Sequence, residues 1–302
     1  MRYRVHHETV YEYAEPVDLA SHMIHLSPRP LPYQRVISAR VTAEPEPSRA
    51  SVALDYFGND VRLMFIDRPH ARFGVLLEAV ADVRFPAAPR AEATPAWEQV
   101  AAAGQRGGGL AWEAAEFAFA SEMAPADPGA GAYAAISFPA GRSVLAGLLD
   151  LTARINKEFS FRPGVTTIQT PVSRVLAQRA GVCQDFTHLM IAGLRSLGLP
   201  ARYVSGYLRT RPPPGQVARR GADQSHAWVG CWLGPEHGWI DLDPTNNLVV
   251  SEEHVVLAWG RDYGDVSPIR GVLVGGEEHT LSVAVDVVAL GEADDETLRG
   301  DA

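Results

Sequence analysis

The sequence predicts an α+β protein, with an antiparallel β-sandwich first and then a helix packed on a second antiparallel sheet. Residues 1–85 contain runs of strand-forming residues separated by Pro, Gly and Asn. Beyond residue 140 the apolar positions first recur at helical spacing and then alternate as they do in strands. A chain of 302 residues with 46% hydrophobic content can bury two modest cores. We therefore expect two domains.

The N-terminal domain is expected to span residues 1–85 and to be an antiparallel sandwich. Its predicted strands are residues 3–13, 35–43, 51–57, 60–65 and 74–83. Residues 86–140 are rich in Ala, Gly and Pro and predict a linker with short helices near Trp97 and over 112–119. Within that linker, residues 107–109 and 125–131 are expected to be flexible.

The next elements are helical. Residues 142–159 and 170–178 predict two helices. From Cys183 onward, Phe186, Met190 and Leu194 recur at helical spacing, until Gly198 and Pro200 end the pattern. Cys183 is therefore expected to begin a buried amphipathic helix, where the N-terminal partial positive charge stabilises an anionic sulfur. Gly181 is expected to give the chain the freedom to turn sharply into that helix.

Three strands are predicted after this helix. Residues 201–208 read as a strand, and the polar residues 209–224 predict a surface loop. The following strand carries His226 and Trp228 on one face, and residues 239–243 form the return strand. Pairing His226 with Asp243 centres the hairpin inside its turn, whereas pairing with Asp241 centres it at the edge of the turn. Asp243 is therefore the preferred partner, with Asp241 as the alternative.

Cys183, His226 and Asp243 together supply a thiol, an imidazole and a carboxylate. A thiolate is the nucleophilic form of cysteine, and a neighbouring imidazole takes up its proton. A carboxylate behind the imidazole fixes its tautomer and stabilises the imidazolium. This combination is typical of cysteine enzymes that act on amide bonds.

The segments around these residues resemble the core of the transglutaminase-like superfamily, in its bacterial two-part form with a β-rich N-terminal domain. They read Gly181-Val182-Cys183-Gln184-Asp185-Phe186, Ser225-His226-Ala227-Trp228 and Trp239-Ile240-Asp241-Leu242-Asp243-Pro244-Thr245. The resemblance implies a papain-like core over residues 141–270, in which the nucleophile helix packs on an antiparallel sheet. Residues 271–302 are then a C-terminal strand, which could complete the N-terminal sandwich, and a frayed tail.

The same resemblance implies site roles: Cys183 as nucleophile, His226 as base and Asp243 as orienting carboxylate. For the oxyanion we expect the backbone N–H of Cys183. The other substrate or oxyanion candidates are the side chains of Gln184, Trp228, Tyr207 and Gln178.

The predicted activity is attack on amide bonds of peptides or proteins through a cysteine thioester, with hydrolysis by water favoured. Capture of the thioester by an amine would instead make the protein a cross-linking transglutaminase. A non-catalytic interaction module is the second alternative. A thiol acyltransferase that uses a carrier thioester is the third, and it would require a cofactor pocket.

Composition narrows the remaining possibilities. The sequence has no apolar segment after Met1 and no run of about 18 apolar residues, so we expect a cytoplasmic protein without membrane association. A net charge of −9 argues against nucleic-acid binding. With two cysteines a disulfide framework is excluded, and the histidine clusters lack a metal-ligand spacing. We expect a peptide or protein substrate and neither metal nor cofactor, while the oligomeric state stays open.

Overall fold

A computed structural model describes residues 1–106, 112–209 and 224–291 of the chain. It is a mixed fold of helices, two large antiparallel sheets, as the sequence predicts, and one short parallel pair of strands. The helices are α1 (Trp97–Arg106), α2 (Trp112–Ala115), α3 (Pro128–Ala135), α4 (Val144–Glu158), α5 (Val172–Gln178), α6 (Cys183–Ser196) and α7 (Tyr263–Val266). The strands are β1 (Arg2–Ile24), β2 (Gln34–Glu44), β3 (Arg49–Leu54), β4 (Asp60–Ile66), β5 (His70–Val83), β6 (Ser160–Phe161), β7 (Ala180–Gly181), β8 (Ala201–Leu208), β9 (Gln224–Trp232), β10 (Trp239–Asp243), β11 (Leu248–Val249), β12 (His254–Gly260), β13 (Ile269–Gly275) and β14 (His279–Ala289).

The N-terminal sheet is organised around β1, which runs through its full length. The first half of β1 pairs with β5 and β14, and its second half pairs with β4 and β13, all antiparallel. Strands β2 and β3 extend the sheet beyond β5 and β4. Since β13 and β14 follow β12 in the chain, the C-terminal strands return to the N-terminal sheet and tie the two parts of the molecule together.

The second sheet has the order β11-β10-β9-β8-β12 and is also antiparallel. Helix α6 packs on β8 and β9, and Phe186, Met190 and Leu194 are almost completely buried along its inner face. This buried stripe explains why the helix forms, since tertiary packing of an apolar face supplies most of the stability of a short helix.

The linker is more ordered than the sequence predicts over residues 125–131. Helix α3 begins at Pro128, whose fixed φ suits the first helical position. The side chain of Asp127 caps it by accepting a hydrogen bond from the backbone N–H of Ala130 at 2.8 Å. The predicted flexibility of this segment is therefore wrong, because α3 packs against α6. The flexible stretch predicted at 107–109 lies outside the described residues, as does most of the predicted loop at 209–224.

None of the described helices combines the length and the apolar character needed to cross a membrane.

Candidate active site

The entry into α6 places Cys183 as the first residue of the helix, following the extended residue Val182. One carboxylate holds this entry in place. Asp185 Oδ2 accepts hydrogen bonds from the backbone N–H of Val182 and from Thr166 Oγ1, both at 2.7 Å. Burial raises the pKa of Asp185, and these two hydrogen bonds partly offset that rise. The Asp185 carboxylate therefore holds the backbone of Val182, the residue before Cys183, and is itself held by Thr166.

Gly181 is required for a reason other than the one expected from sequence. Its φ is not in the left-handed region, whereas Arg179, two residues earlier, has φ 52° at the end of α5. A Cβ on Gly181 would lie 2.7 Å from Asp185 Oδ2 and 2.8 Å from Asp185 Cβ. The expectation of a sharp turn at Gly181 is therefore wrong. The glycine instead allows the Asp185 side chain to fold back against the chain.

His226 and Asp243 form a hydrogen-bonded pair across the second sheet. The distance from His226 Nε2 to Asp243 Oδ2 is 2.8 Å, and Asp243 is completely buried. The same oxygen accepts a hydrogen bond from Asn246 Nδ2 at 2.7 Å, while Oδ1 accepts from the backbone N–H groups of Thr245 and Asn246. Because Nε2 is committed to the carboxylate, Nδ1 is the imidazole nitrogen left for the thiol.

The hairpin that carries this pair has a register different from the predicted one. Trp239 pairs with Trp232 and Leu242 with Val229. This register places Trp228 opposite Asp243, and His226 lies two residues farther from the turn. The choice of Asp243 over Asp241 agrees with the hydrogen bond, but the symmetry argument behind it was wrong. The pair meets diagonally, since the side chains reach along the face of the sheet.

The electrostatics of the pair favour a charged imidazole. Burial lowers the pKa of His226, but hydrogen bonds to Asp243 and Cys183 outweigh it and raise the value to about 10. Burial raises the pKa of Asp243, but the hydrogen bonds from His226 and Asn246, together with the nearby His254 imidazole, outweigh it, so the value falls well below the usual range. An ionised Asp243 next to a protonated His226 is therefore the stable arrangement at neutral pH.

Cys183 and His226 open on one cavity of about 450 Å³. Its walls come from four parts of the fold: the start of α6, the strands β8 and β9, the segment from α7 to Pro268, and the N-terminal sheet. The lining residues are His7, Thr9, Tyr11, Val182, Cys183, Gln184, Tyr203, Ser205, Ser225, His226, Ala227, Tyr263, Pro268, Ile269, Leu281 and Val283. Thiol and imidazole thus share a space that can hold a small part of a substrate.

Of the four further candidates from sequence, only Gln184 lines the cavity. Its Nε2 donates to the backbone carbonyl of Ile168 at 3.3 Å. Gln178 Nε2 donates to the carbonyl of Ala180, and Trp228 Nε1 donates to Asp241 Oδ2 at 3.0 Å. The Tyr207 hydroxyl lies 2.6 Å from His7 Nδ1. The other three therefore have partners elsewhere, and the oxyanion role stays a prediction for all four.

Two residues of this region were missed as candidates from the sequence. His254 is buried on β12, with Nε2 3.6 Å from Asp243 Oδ2, so a second imidazole faces the same carboxylate oxygen. Tyr203 lines the cavity; burial and the nearby Cys183 raise its pKa, so its hydroxyl stays a donor. In the sequence His254 follows Glu252 and Glu253, and this cluster lacks a metal-ligand spacing. The pairing of β12 with β8 brings it to the site, and no local pattern signals that.

His226, Asp243 and His254 also offer donor atoms that all lie within 4.8 Å of one another. Three such groups can in principle hold a metal ion. His226 Nε2 is hydrogen-bonded to Asp243 Oδ2 at 2.8 Å, whereas His254 Nε2 lies 3.6 Å from the same oxygen, which is beyond hydrogen-bond distance. The absence of a catalytic metal stays a prediction.

A thiol at a helix start, facing an imidazole and carboxylate on an antiparallel sheet, defines a transglutaminase-like class of site. The comparisons agree with this. Residues 3–82 match the bacterial transglutaminase-like N-terminal region, and residues 141–244 match the transglutaminase-like superfamily. The chain belongs to the transglutaminase-like superfamily.

Several proteins are similar to the chain. An uncharacterised protein of Mycobacterium tuberculosis is 39% identical over 95% of this chain and 92% of its own length. A protein-glutamine gamma-glutamyltransferase of Pseudomonas aeruginosa is 32% identical over 32% of this chain and 15% of its own length. A solved structure from Cytophaga hutchinsonii, provisionally named a cysteine protease, has a TM-score of 0.72 and 20% identity, covering 96% of this chain and 92% of its own. That structural likeness shows the fold.

Proposed function

We propose that this protein is a cysteine enzyme that cleaves amide bonds of peptides or proteins through a thioester on Cys183. One observation carries the proposal. Cys183 begins a helix and shares a cavity with His226, whose other ring nitrogen is held by the buried Asp243 at 2.8 Å. A nucleophile and base within reach of each other, with a third group orienting the base, are the signature of nucleophilic catalysis.

The proposed first step forms the thioester. The Cys183 sulfur, having given its proton to His226, attacks the amide carbonyl carbon, and the oxygen develops negative charge near the start of α6. The first N–H groups of a helix have no intrahelical acceptor, so the N–H of Cys183 is suited to stabilise that charge. The C–N bond then breaks, and the departing amine takes the proton from His226.

The second step releases the product. Water gives a proton to the neutral His226 and adds to the thioester carbonyl, and the C–S bond breaks to give the acid and the free cysteine. Asp243 keeps Nε2 of His226 protonated throughout, which leaves Nδ1 to exchange the proton with substrate.

Transfer to an amine is the second candidate. The similarity of 103 residues to a protein-glutamine gamma-glutamyltransferase supports it. The same Cys183, His226 and Asp243 would serve both reactions, since only the group that captures the thioester differs. Hydrolysis remains our choice because none of the described residues lining the cavity is an acidic side chain that would hold an amine.

The test is mass spectrometry of a glutamine-containing peptide library incubated with wild type or Cys183→Ala, with and without a primary amine. Cleavage or deamidation that depends on Cys183 supports a hydrolase. Incorporation of the amine supports the transferase. If neither occurs and the thiol is unreactive, the fold is a non-catalytic interaction module and the proposal is wrong.

A further inference from the structure

The wall of the cavity opposite the catalytic residues belongs to the N-terminal sheet. His7, Thr9 and Tyr11 are alternate residues of β1, so they lie on one face of the sheet. Thr9 pairs with Val283 and Tyr11 with Leu281 on β14. All five side chains line the cavity that contains Cys183 and His226. We call this set of five residues the strand wall.

The strand wall is fixed to the core sheet by a short chain of hydrogen bonds. His7 Nδ1 lies 2.6 Å from the Tyr207 hydroxyl on β8, and His7 Nε2 lies 2.9 Å from Thr9 Oγ1. His7 and Tyr207 are both buried. Their contact holds the N-terminal sheet at a set distance from the strands that carry His226.

The strand wall is uncharged. Among the described residues that line the cavity, none is Lys, Arg, Asp or Glu. Burial, together with the neighbouring His6, lowers the pKa of His7 to about 4, so this imidazole is neutral at pH 7. A charged group entering the cavity would lose water and find no opposite charge on this wall, and the imidazolium of His226 across the cavity is already hydrogen-bonded to the buried Asp243.

Part of the strand wall is apolar and exposed. Leu281 is 55% exposed and Val283 is 51% exposed, and both line the open side of the cavity. Apolar side chains that remain open at the mouth of a pocket gain free energy when a ligand covers them. The wall is therefore suited to an apolar group next to the reacting carbonyl.

We propose that the strand wall selects the substrate, and that it takes peptide-like substrates with an uncharged side chain of apolar body beside the attacked carbonyl. The inference rests on the proposed function, since it places the substrate against Cys183. It assigns the N-terminal sheet a direct part in substrate recognition, with Leu281 and Val283 as specificity-determining residues.

The test uses alkylation of Cys183, so that it needs no known substrate. The reagents are iodoacetamide, N-benzyl iodoacetamide, and the benzyl reagent with a carboxylate or an ammonium group on its ring. Each rate is measured by mass spectrometry of the Cys183 peptide and divided by the rate with a free thiol. The iodoacetamide rate measures the reactivity of the thiol itself, and the rates with the benzyl reagents measure how well the strand wall accepts an uncharged or a charged ring.

Val283→Asp is the test variant and Val288→Asp is its matched control. Val288 lies on the same strand with nearly the same exposure, 52%, but on the opposite face and outside the cavity lining. If Val283→Asp fails to fold, Leu281→Asn replaces it. Far-UV circular dichroism and the thermal midpoint establish that each variant is folded.

We expect wild type to favour the plain benzyl reagent over both charged forms by about tenfold or more, because each charged group would be desolvated without an opposite charge on the wall. With each benzyl rate divided by the iodoacetamide rate of the same variant, Val283→Asp should remove the preference over the ammonium reagent, because its carboxylate pairs with that group, and Val288→Asp should keep the wild-type preference. Equal rates for charged and uncharged benzyl reagents in wild type, or equal effects of the two Asp variants, would overturn the proposal that the strand wall selects the substrate. A Cys183 no more reactive toward iodoacetamide than a free thiol would instead overturn the proposed function.

Discussion

Asp243 and Asp241 lie two residues apart on β10 but face different partners. Asp243 accepts hydrogen bonds from His226, from the side chain of Asn246 and from two backbone N–H groups. Asp241 accepts one from Trp228, and burial raises its pKa even though the buried Arg202 lowers it. Asp243 is therefore held in its ionised form against the imidazole of His226, whereas Asp241 is buried in the core and hydrogen-bonded to Trp228.

Asp243→Asn should lower kcat/KM by roughly a thousandfold, because an amide cannot hold Nε2 of His226 in the same protonated state. Steady-state kinetics on the peptide found in the library experiment measure this. Asp241→Asn is the control, since Asn can still accept from Trp228; it should change stability but leave kcat/KM per folded molecule within about threefold. Equal losses in both variants would mean that Asp243 has no special part in catalysis.

The pH dependence should carry the signature of His226. Its pKa is raised from 6.5 to about 10, so the protonated ring stabilises the folded state fully below pH 6.5, and this stabilisation is lost as the pH rises toward 10. The alkaline limb of kcat/KM should accordingly fall near pH 10, as the imidazolium loses its proton. Rate profiles between pH 7 and 11 test this, and an alkaline limb near pH 7 would contradict it.

At the scale of elements, the turn before α6 depends on close contact between Gly181 and Asp185. Gly181→Ala should destabilise the protein by about 1–3 kcal/mol, since its Cβ would fall inside van der Waals distance of the Asp185 side chain. It should also lower activity, because Asp185 fixes the backbone next to Cys183. Urea unfolding and kinetics measure the two effects.

Gly74→Ala provides the control for that variant. The nearest atom to a Cβ at Gly74 is the flexible end of Arg72 at 3.4 Å, an ordinary contact. It should change the free energy of unfolding by less than about 1 kcal/mol. A Gly181→Ala protein as stable as this control would show that Asp185 can move without cost.

Local patterns predicted most elements of the core but not how they meet. Strands β8 and β10 and the start of α6 follow from alternation and helical spacing. The register of the β9–β10 hairpin does not follow from these patterns. The Leu233 N–H donates to the carbonyl of Gly238, so the centre of the hairpin lies one residue later in the chain than direct pairing of His226 with Asp243 implies. Gly234 and Gly238 adopt positive φ values there, which glycine permits at little cost.

At the scale of the whole molecule, the N-terminal sheet and the core share stacked side chains as well as a cavity. The guanidinium groups of Arg29 and Arg202 each lie 3.7 Å from the centre of the Trp259 ring. Arg202 also lies 4.3 Å from the ring of Trp239. Arg29 precedes β2, whereas the other three residues lie on the core sheet, so the stack connects the two parts.

Trp259→Ala should destabilise the protein by about 3 kcal/mol, since it removes the ring that separates two guanidinium groups and leaves a cavity. Phe119→Ala is the matched loss of an aromatic ring on the surface, where the side chain is 67% exposed. It should change the free energy of unfolding by less than about 0.5 kcal/mol. Chemical denaturation of both variants gives the comparison, and equal stabilities would contradict the structural role of the stack.

The contacts between the N-terminal sheet and the core could not be predicted from the sequence. The strand run predicted at residues 3–13 continues to Ile24 through an irregularity between Glu12 and Val17, where Pro16 interrupts the local pattern. His7 meets Tyr207 across 200 residues of chain. Such contacts arise from tertiary packing, so the grouping of Cys183, His226 and Asp243 was predictable from their motifs while the opposite wall of the cavity was not.

The central claim is that His226 activates Cys183, and the most direct measurement is the rate at which iodoacetamide alkylates Cys183 at pH 6. Wild type should react at least about a hundredfold faster at Cys183 than His226→Ala, because a neighbouring imidazole activates a thiol by taking up its proton and the variant lacks that group. The buried Cys231 in the same molecule serves as the internal control and should stay unmodified. Equal rates for Cys183 in wild type and His226→Ala would contradict the account.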